Sequence, residues 1–252
     1  MGTHIDRRNF IRAGATGAAA GALGLVGHAE QPQPEPAAQV PGSRTRAGIE
    51  RGLGFLARNQ LTDGSFGEPT LGTGVGIASL AALALMAGGN QPGRGRFGKN
   101  VARAVEYVAG MAGGPNPGFL TAPASQAAHR LNSNPAPMYS HGFGTLFLSE
   151  VCGMVPAAAR DAKLRGALEQ AVAFTVFAQN TLGGWRYEPQ VQYADVSVTT
   201  AQMMALRAAK NAGVFVRKSV IDGGAAYIKG CQLADGGFSY WKGQGFSAFA
   251  RT

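Results

Sequence analysis

The sequence predicts an all-α fold: an α/α toroid of helix-pair repeats, incomplete, with about four pairs present. Three observations predict it. Glutamine and an aromatic ring recur six positions apart in NQLTDGSFG (Gln60, Phe66), QNTLGGWRY (Gln179, Trp185) and CQLADGGFSYW (Gln232, Phe238). Each copy is preceded by apolar residues at helical spacing, such as Ile49, Leu53 and Leu56, or Leu168, Val172 and Val176. Each of the first segments is answered by a second that is apolar nearly all round, over 74–89, 141–155 and 195–209. Amphipathic helices alternating with apolar ones imply an outer and an inner layer, the inner helices buried on all sides.

The chain opens with DRRNFIR, whose paired Arg7 and Arg8 precede a soft apolar run from Ala13 to Val26. Residues 1–29 have the layout of a twin-arginine signal peptide, with Gly27 and Ala29 small enough for cleavage after Ala29. Export to the periplasm or cell surface is the expectation. Residues 30–46 are rich in proline and glutamine and suit an extended spacer. The toroid domain is expected over 47–252, with no integral membrane span in the mature chain.

Aligned on glutamine, the copies share an acid ten positions before it (Glu50, Glu169, Asp222), a ring five before it (Phe55, Phe174, Tyr227) and a glycine four after it (Gly64, Gly183, Gly236). A degraded copy sits at VEYVAGMAGGPNPGF, with Tyr107 as its ring and Phe119 as its terminal aromatic. The D-G or G-G pair is expected to stop each outer helix through a left-handed glycine. Gln60, Phe66, Gln179, Trp185, Gln232 and Phe238 are expected to staple the repeats, the amide on orphan carbonyls and the ring across the turn. The last inner helix is represented only by its start, GFSAFART, so an open ring with an apolar edge is expected.

The net charge is +9, and leaving out the leader with Asp6, Arg7, Arg8 and Arg12 lowers it to +7. The basic residues form no run and accompany no recognition motif, so no nucleic-acid partner is expected. Cys152 and Cys231 are too few for a disulfide scaffold and are read as buried thiols. The absence of a G-x-S-x-G elbow, a Walker loop and a nucleotide fingerprint leaves covalent hydrolase chemistry unsupported. No motif assigns a cofactor or an oligomeric state.

The repeated Q-x-x-[D/L]-G-x-[F/W] resembles the QW-type repeat of squalene and hopene cyclases and the related repeats of protein prenyltransferase β-subunits. The resemblance covers 47–252. HGFGTLFLSEVCGM and DVSVTTAQMMALRAAKNAG are most similar to exported prenyltransferase/squalene-oxidase-repeat proteins of planctomycete-type bacteria. It implies a toroid whose central cavity excludes water and offers aromatic faces to a carbocation. It also implies an aspartate-rich acid motif where Asp195 stands, but Ser197 and Val198 follow in place of acids. The prenyltransferase zinc site begins with a D-x-C step, and here Asp195-x-Ser197 has a hydroxyl where a thiolate is required. His141 and Cys152 lie roughly 16 Å apart along one helix and do not share one zinc ion.

Asp195 is therefore either a helix cap or a general acid. Tyr139, His141, Trp185, Tyr187 and Tyr193 are candidates to line a ligand cavity, with Arg186 as one fixed charge. His141 and Trp185 are equally candidates for packing. Two functions remain: an exported toroid binding an isoprenoid, lipid or peptide without cyclase or zinc chemistry, and an isoprenoid-processing enzyme with Asp195 as acid.

Overall fold

The computed structural model describes residues 42–67, 74–121, 136–155 and 158–245. The expected leader, most of the spacer and all but the first residue of GFSAFART lie outside the described residues. Those described form α1 (Ser43–Arg58), α2 (Val75–Ala87), α3 (Gly98–Gly110), a 3-10 turn (Met111–Gly113), α4 (Pro137–Val151), α5 (Ala158–Ala178), α6 (Val196–Asn211) and α7 (Lys218–Cys231), with no strand among them. Pro41–Thr252 is one compact unit. Helix α1 starts inside the stretch read as spacer, because Gly42 O accepts from Arg46 N at 3.0 Å and opens the first turn at Ser43.

The apolar helices α2, α4 and α6 pack in a row, α4 against both neighbours. Helix α1 lies on α2, α3 on α2 and α4, α5 on α4 and α6, and α7 on α6. Glycine sets the spacing within the row. A Cβ on Gly142 would stand 2.8 Å from Gln202 Nε2 of α6, and one on Gly76 would stand 3.1 Å from Ser140 Cα of α4. The covering helices bury one face each: Val101, Ala104, Val105 and Val108 from α3, and Leu164, Leu168, Ala171 and Val172 from α5. Each large apolar side chain so buried contributes about 1.5–3 kcal/mol.

The row is not buried on all sides, contrary to the sequence expectation. On α2, Ile77 is 53 % exposed and Leu80 47 %, while Met204 of α6 is exposed and Phe143 of α4 half-buried. Neighbours in the row and the covering helices occupy the other sides, which leaves one apolar stripe bare.

The recurring turn is the same structure three times. The residue after glutamine donates its N–H to the carbonyl four positions on: Leu61 to Ser65 at 2.9 Å, Asn180 to Gly184 at 3.0 Å, Leu233 to Gly237 at 2.7 Å. Its own carbonyl accepts from Gly64, Gly183 and Gly236, whose φ values are 93°, 86° and 88°. The left-handed glycine thus closes a tight turn beyond the helix, rather than the last helical turn as expected; the helices stop at Arg58, Ala178 and Cys231.

That turn leans on the helix of the next repeat. A Cβ on Gly64 would collide with the carbonyl of Arg103 in α3, one on Gly118 with that of Gln170 in α5, and one on Gly183 would stand 2.6 Å from Gly223 O in α7. The glutamine amide bridges the same joint. Gln60 Nε2 donates to Gly64 O at 3.0 Å and to Asn100 O at 2.9 Å, and Gln179 Nε2 donates to Gly183 O at 2.7 Å and to Val220 O at 3.0 Å. In the degraded copy Ala112 stands where the amide would be, and the glycine contact remains. Gln232 is exposed, with no side-chain bond to a neighbouring helix among the described residues. The shared acids Glu50, Glu169 and Asp222 form only exposed ion pairs, with Arg96, Arg165 and Lys218, each worth about 1 kcal/mol or less.

Trp185 closes the third turn at 1 % exposure, its Nε1 donating to Thr175 O at 2.8 Å. Trp185→Ala is expected to cost about 3–5 kcal/mol, while Trp241→Ala, at a ring 46 % exposed, changes stability by less than about 1 kcal/mol. Urea unfolding of the two variants checks this, and equal midpoints would disprove the stapling role.

Candidate functional site

The starts of α4 and α6 converge because two outside carbonyls satisfy their first N–H groups. Tyr187 O accepts from Met138 N at 3.1 Å, and Tyr240 O accepts from Val196 N at 2.9 Å. Asp195 is fixed by its own N–H, which donates to Trp185 O at 3.0 Å. Tyrosines 187 and 240 are thereby brought to the two helix starts, with Asp195 between them.

Asp195 is fully buried and caps α6, its Oδ1 accepting from Val198 N at 2.8 Å. Ser197 Oγ donates to the same oxygen at 2.7 Å and in turn accepts from Tyr139 OH at 2.6 Å. At Oδ2, Arg186 Nη1 donates at 3.4 Å and Tyr240 OH at 3.5 Å. Tyr187 OH and Tyr240 OH are 2.5 Å apart. With the Tyr240 proton directed at Asp195, Tyr187 donates to Tyr240. One carboxylate thus gathers two chains that end in tyrosine, one through Ser197 and one through Tyr240.

The Arg186 guanidinium lies over three rings, 4.6 Å from the centroid of Tyr187, 5.1 Å from Tyr193 and 5.4 Å from Tyr240. Such contacts contribute about 0.5–2 kcal/mol each, more where water is excluded. Burial pushes the Tyr139 and Tyr240 phenols above their ordinary pKa, and Asp195 adds to both shifts. Both are donors at neutral pH. From this cluster the rings of Tyr187, Tyr139 and Phe143 follow one another, at 6.1 Å and 6.5 Å between centroids, and end at the half-buried Phe143 of α4.

Of the residues singled out in the sequence, Tyr139, Tyr187, Tyr193 and Asp195 come together with Arg186. His141 and Trp185 do not join them. His141 is fully buried, Nδ1 accepting from Leu120 N at 3.2 Å and Nε2 2.8 Å from Thr175 Oγ1, with Phe119 and Phe174 edge-on to the imidazole. Trp185 packs in the third turn. The sequence reading missed Tyr240, although its signal was present: it stands two positions after Phe238, as Tyr187 stands two after Trp185.

The zinc implied by the prenyltransferase resemblance finds no fitting donor set. Ser197 replaces the thiolate and its hydroxyl is engaged by Asp195, and among the described residues no three His, Cys, Asp or Glu side chains gather. Cys152 and Cys231 are both buried. A separate groove of about 340 Å³ lies between α3 and α5, with Val105, Val155 and Leu164 in its wall and Glu106, Arg160 and Lys163 at its edge; it includes none of the clustered tyrosines. No described helix is long and apolar enough to cross a membrane. No known protein family and no curated protein matches the chain.

Burial lowers the His141 pKa from 6.5 to about 3, so the unfolded chain takes up a proton here well before the folded chain does. The stability held by the neutral imidazole is full above pH 6.5 and falls as pH drops from there toward about 3, by at most about 1.4 kcal/mol per pH unit. Between pH 6.5 and 5.5 the wild type is expected to lose stability faster than His141→Gln, as read by urea unfolding. Identical slopes would mean that the imidazole is not held neutral.

Proposed function

We propose that this chain is an exported α/α toroid with squalene cyclase/prenyltransferase-like repeats that binds a lipid or similar apolar ligand along its inner helices, without cyclase or zinc-transferase chemistry. The observation that carries the reading is the bare apolar stripe of Ile77, Leu80, Phe143 and Met204 running toward a polar cluster built from Tyr139, Arg186, Tyr187, Tyr193, Asp195 and Tyr240. An apolar chain suits the stripe. Phenols and one guanidinium at its end suit the neutral or polar head of the same ligand.

The alternative is an isoprenoid-processing enzyme with Asp195 as proton donor, which its complete burial near aromatic rings favours. Its hydrogen bonds favour the first reading. Both carboxylate oxygens accept from neighbouring donors, two at each, which complements a carboxylate that receives protons rather than one that delivers a proton to an alkene. Paired Arg7 and Arg8 before an apolar run support export, and with it ligand binding outside the cytoplasm.

Mass spectrometry of the organic extract of purified protein tests it, together with incubation with squalene and prenyl diphosphates. Bound lipid that is lost from Ile77→Asp with Met204→Asp, and no product from either substrate, is the expected result. Turnover abolished by Asp195→Asn would replace this reading with the enzymatic one, and absence of lipid from the wild type would contradict it.

A further inference from the structure

The joint between repeats has two halves, and the described chain carries an unused copy of each. The donor half is a turn with its glutamine, glycine and terminal aromatic. The acceptor half is the following outer helix, engaged at the carbonyl nine positions before its own glutamine. That carbonyl belongs to Gln170 before Gln179 and to Gly223 before Gln232. The glutamine of the previous copy also reaches the carbonyl twelve positions before, as Gln179 reaches Val220. In α3 the corresponding carbonyls are those of Asn100 and Arg103.

In α1 the equivalent positions are Gly48 and Arg51, and no turn of the described residues lies against them: a Cβ on Gly48 would meet only Arg51 Nη2, at 4.0 Å. The ring five before glutamine reports the same vacancy. Tyr227 is 2 % exposed beneath the preceding turn, its OH bonded to Ala194 O, and Phe174 stacks on Phe119 of the preceding copy at 4.4 Å. Phe55, at the same register, is 59 % exposed. At the other edge Gln232 is exposed, and a Cβ on Gly236 would likewise meet nothing within 4 Å, unlike those on Gly64, Gly118 and Gly183. Phe238 is only half-buried, whereas Phe66, Phe119 and Trp185 are buried.

We infer that two copies of this chain associate head to tail, the Gln232–Phe238 turn of one seating on α1 of the next over Phe55 and the carbonyls of Gly48 and Arg51. The fit extends to the side chains. Arg103 Nη2 donates to Gln60 Oε1 at 2.8 Å across the first joint, and Arg51 occupies the position of Arg103 in α1. The occupant is a second copy because this chain itself makes the joint three times, between α1 and α3, α3 and α5, and α5 and α7. Such a contact pairs two different surfaces and propagates, because the associated pair retains one donor and one acceptor edge.

Two exposed substitutions test it in the full chain. Phe55→Asp spoils the acceptor and Gln232→Arg spoils the donor by setting a cation against Arg51, and circular dichroism confirms that both fold. By sedimentation velocity the wild type is expected to gain mass with concentration and each variant to remain a single chain. An equimolar mixture of the variants is expected to form a dimer and stop there, because one intact donor meets one intact acceptor. A wild type that stays a single chain at high concentration would overturn the inference and leave these edges to some other chain. Association untouched by either substitution, or a mixture of single chains only, would overturn it too.

Discussion

The structure depends on the close approach of a left-handed glycine to a backbone carbonyl of the next covering helix. At Gly64, Gly118 and Gly183 there is no room for a Cβ, and only glycine adopts positive φ there at little cost. Because the contact is backbone on backbone, it fixes the separation of consecutive covering helices more tightly than side-chain packing does. The glutamine amide then satisfies two carbonyls at once, one in its own turn and one at the next helix. A net contribution of about 1 kcal/mol per such bond is ordinary. Its larger consequence is register, since Gln60 and Gln179 each reach the corresponding carbonyl of the following helix.

The candidate site inherits that register. Tyr187 and Tyr240 are both two positions past a terminal aromatic, and the joint between α5 and α7 carries them to hydroxyl contact at 2.5 Å. Each then lends a backbone carbonyl to a neighbouring helix start, at Met138 and at Val196. Asp195 lies where these constraints meet, as cap of α6, partner of Arg186 and end of both hydroxyl chains.

The helical fold was legible because apolar spacing and the Gln-to-ring recurrence are local signals. The apolar helices were anticipated within two residues at α2 and α6, while α4 starts and stops four residues before the expected 141–155. Their bare face was not, since an all-apolar helix reads the same whether it meets protein on four sides or on three. Tyr139, Tyr187, Tyr193 and Asp195 were readable as candidates because they crowd the starts of two helices. His141 looked equally placed, but helical rotation turns it toward Thr175 and the Leu120 backbone. Tyr240 repeats the offset of Tyr187 from its terminal aromatic, but the carbonyl it lends lies 44 residues from Val196 along the chain, so the repeat marked the residue without marking its partner.

The central claim is that the turn glycines are fixed by the neighbouring helix and not merely by their own turn. Gly64→Ala, Gly183→Ala and Gly236→Ala put the same methyl on the same backbone conformation, with φ between 86° and 93°, but only the first two have a carbonyl in the way. Urea unfolding in dilute solution measures the difference. The account predicts that Gly236→Ala costs only the roughly 1–2 kcal/mol of a left-handed alanine, while Gly64→Ala and Gly183→Ala cost at least about 1–3 kcal/mol more from the steric clash. Equal losses at all three positions would show that the joint does not hold the repeats together.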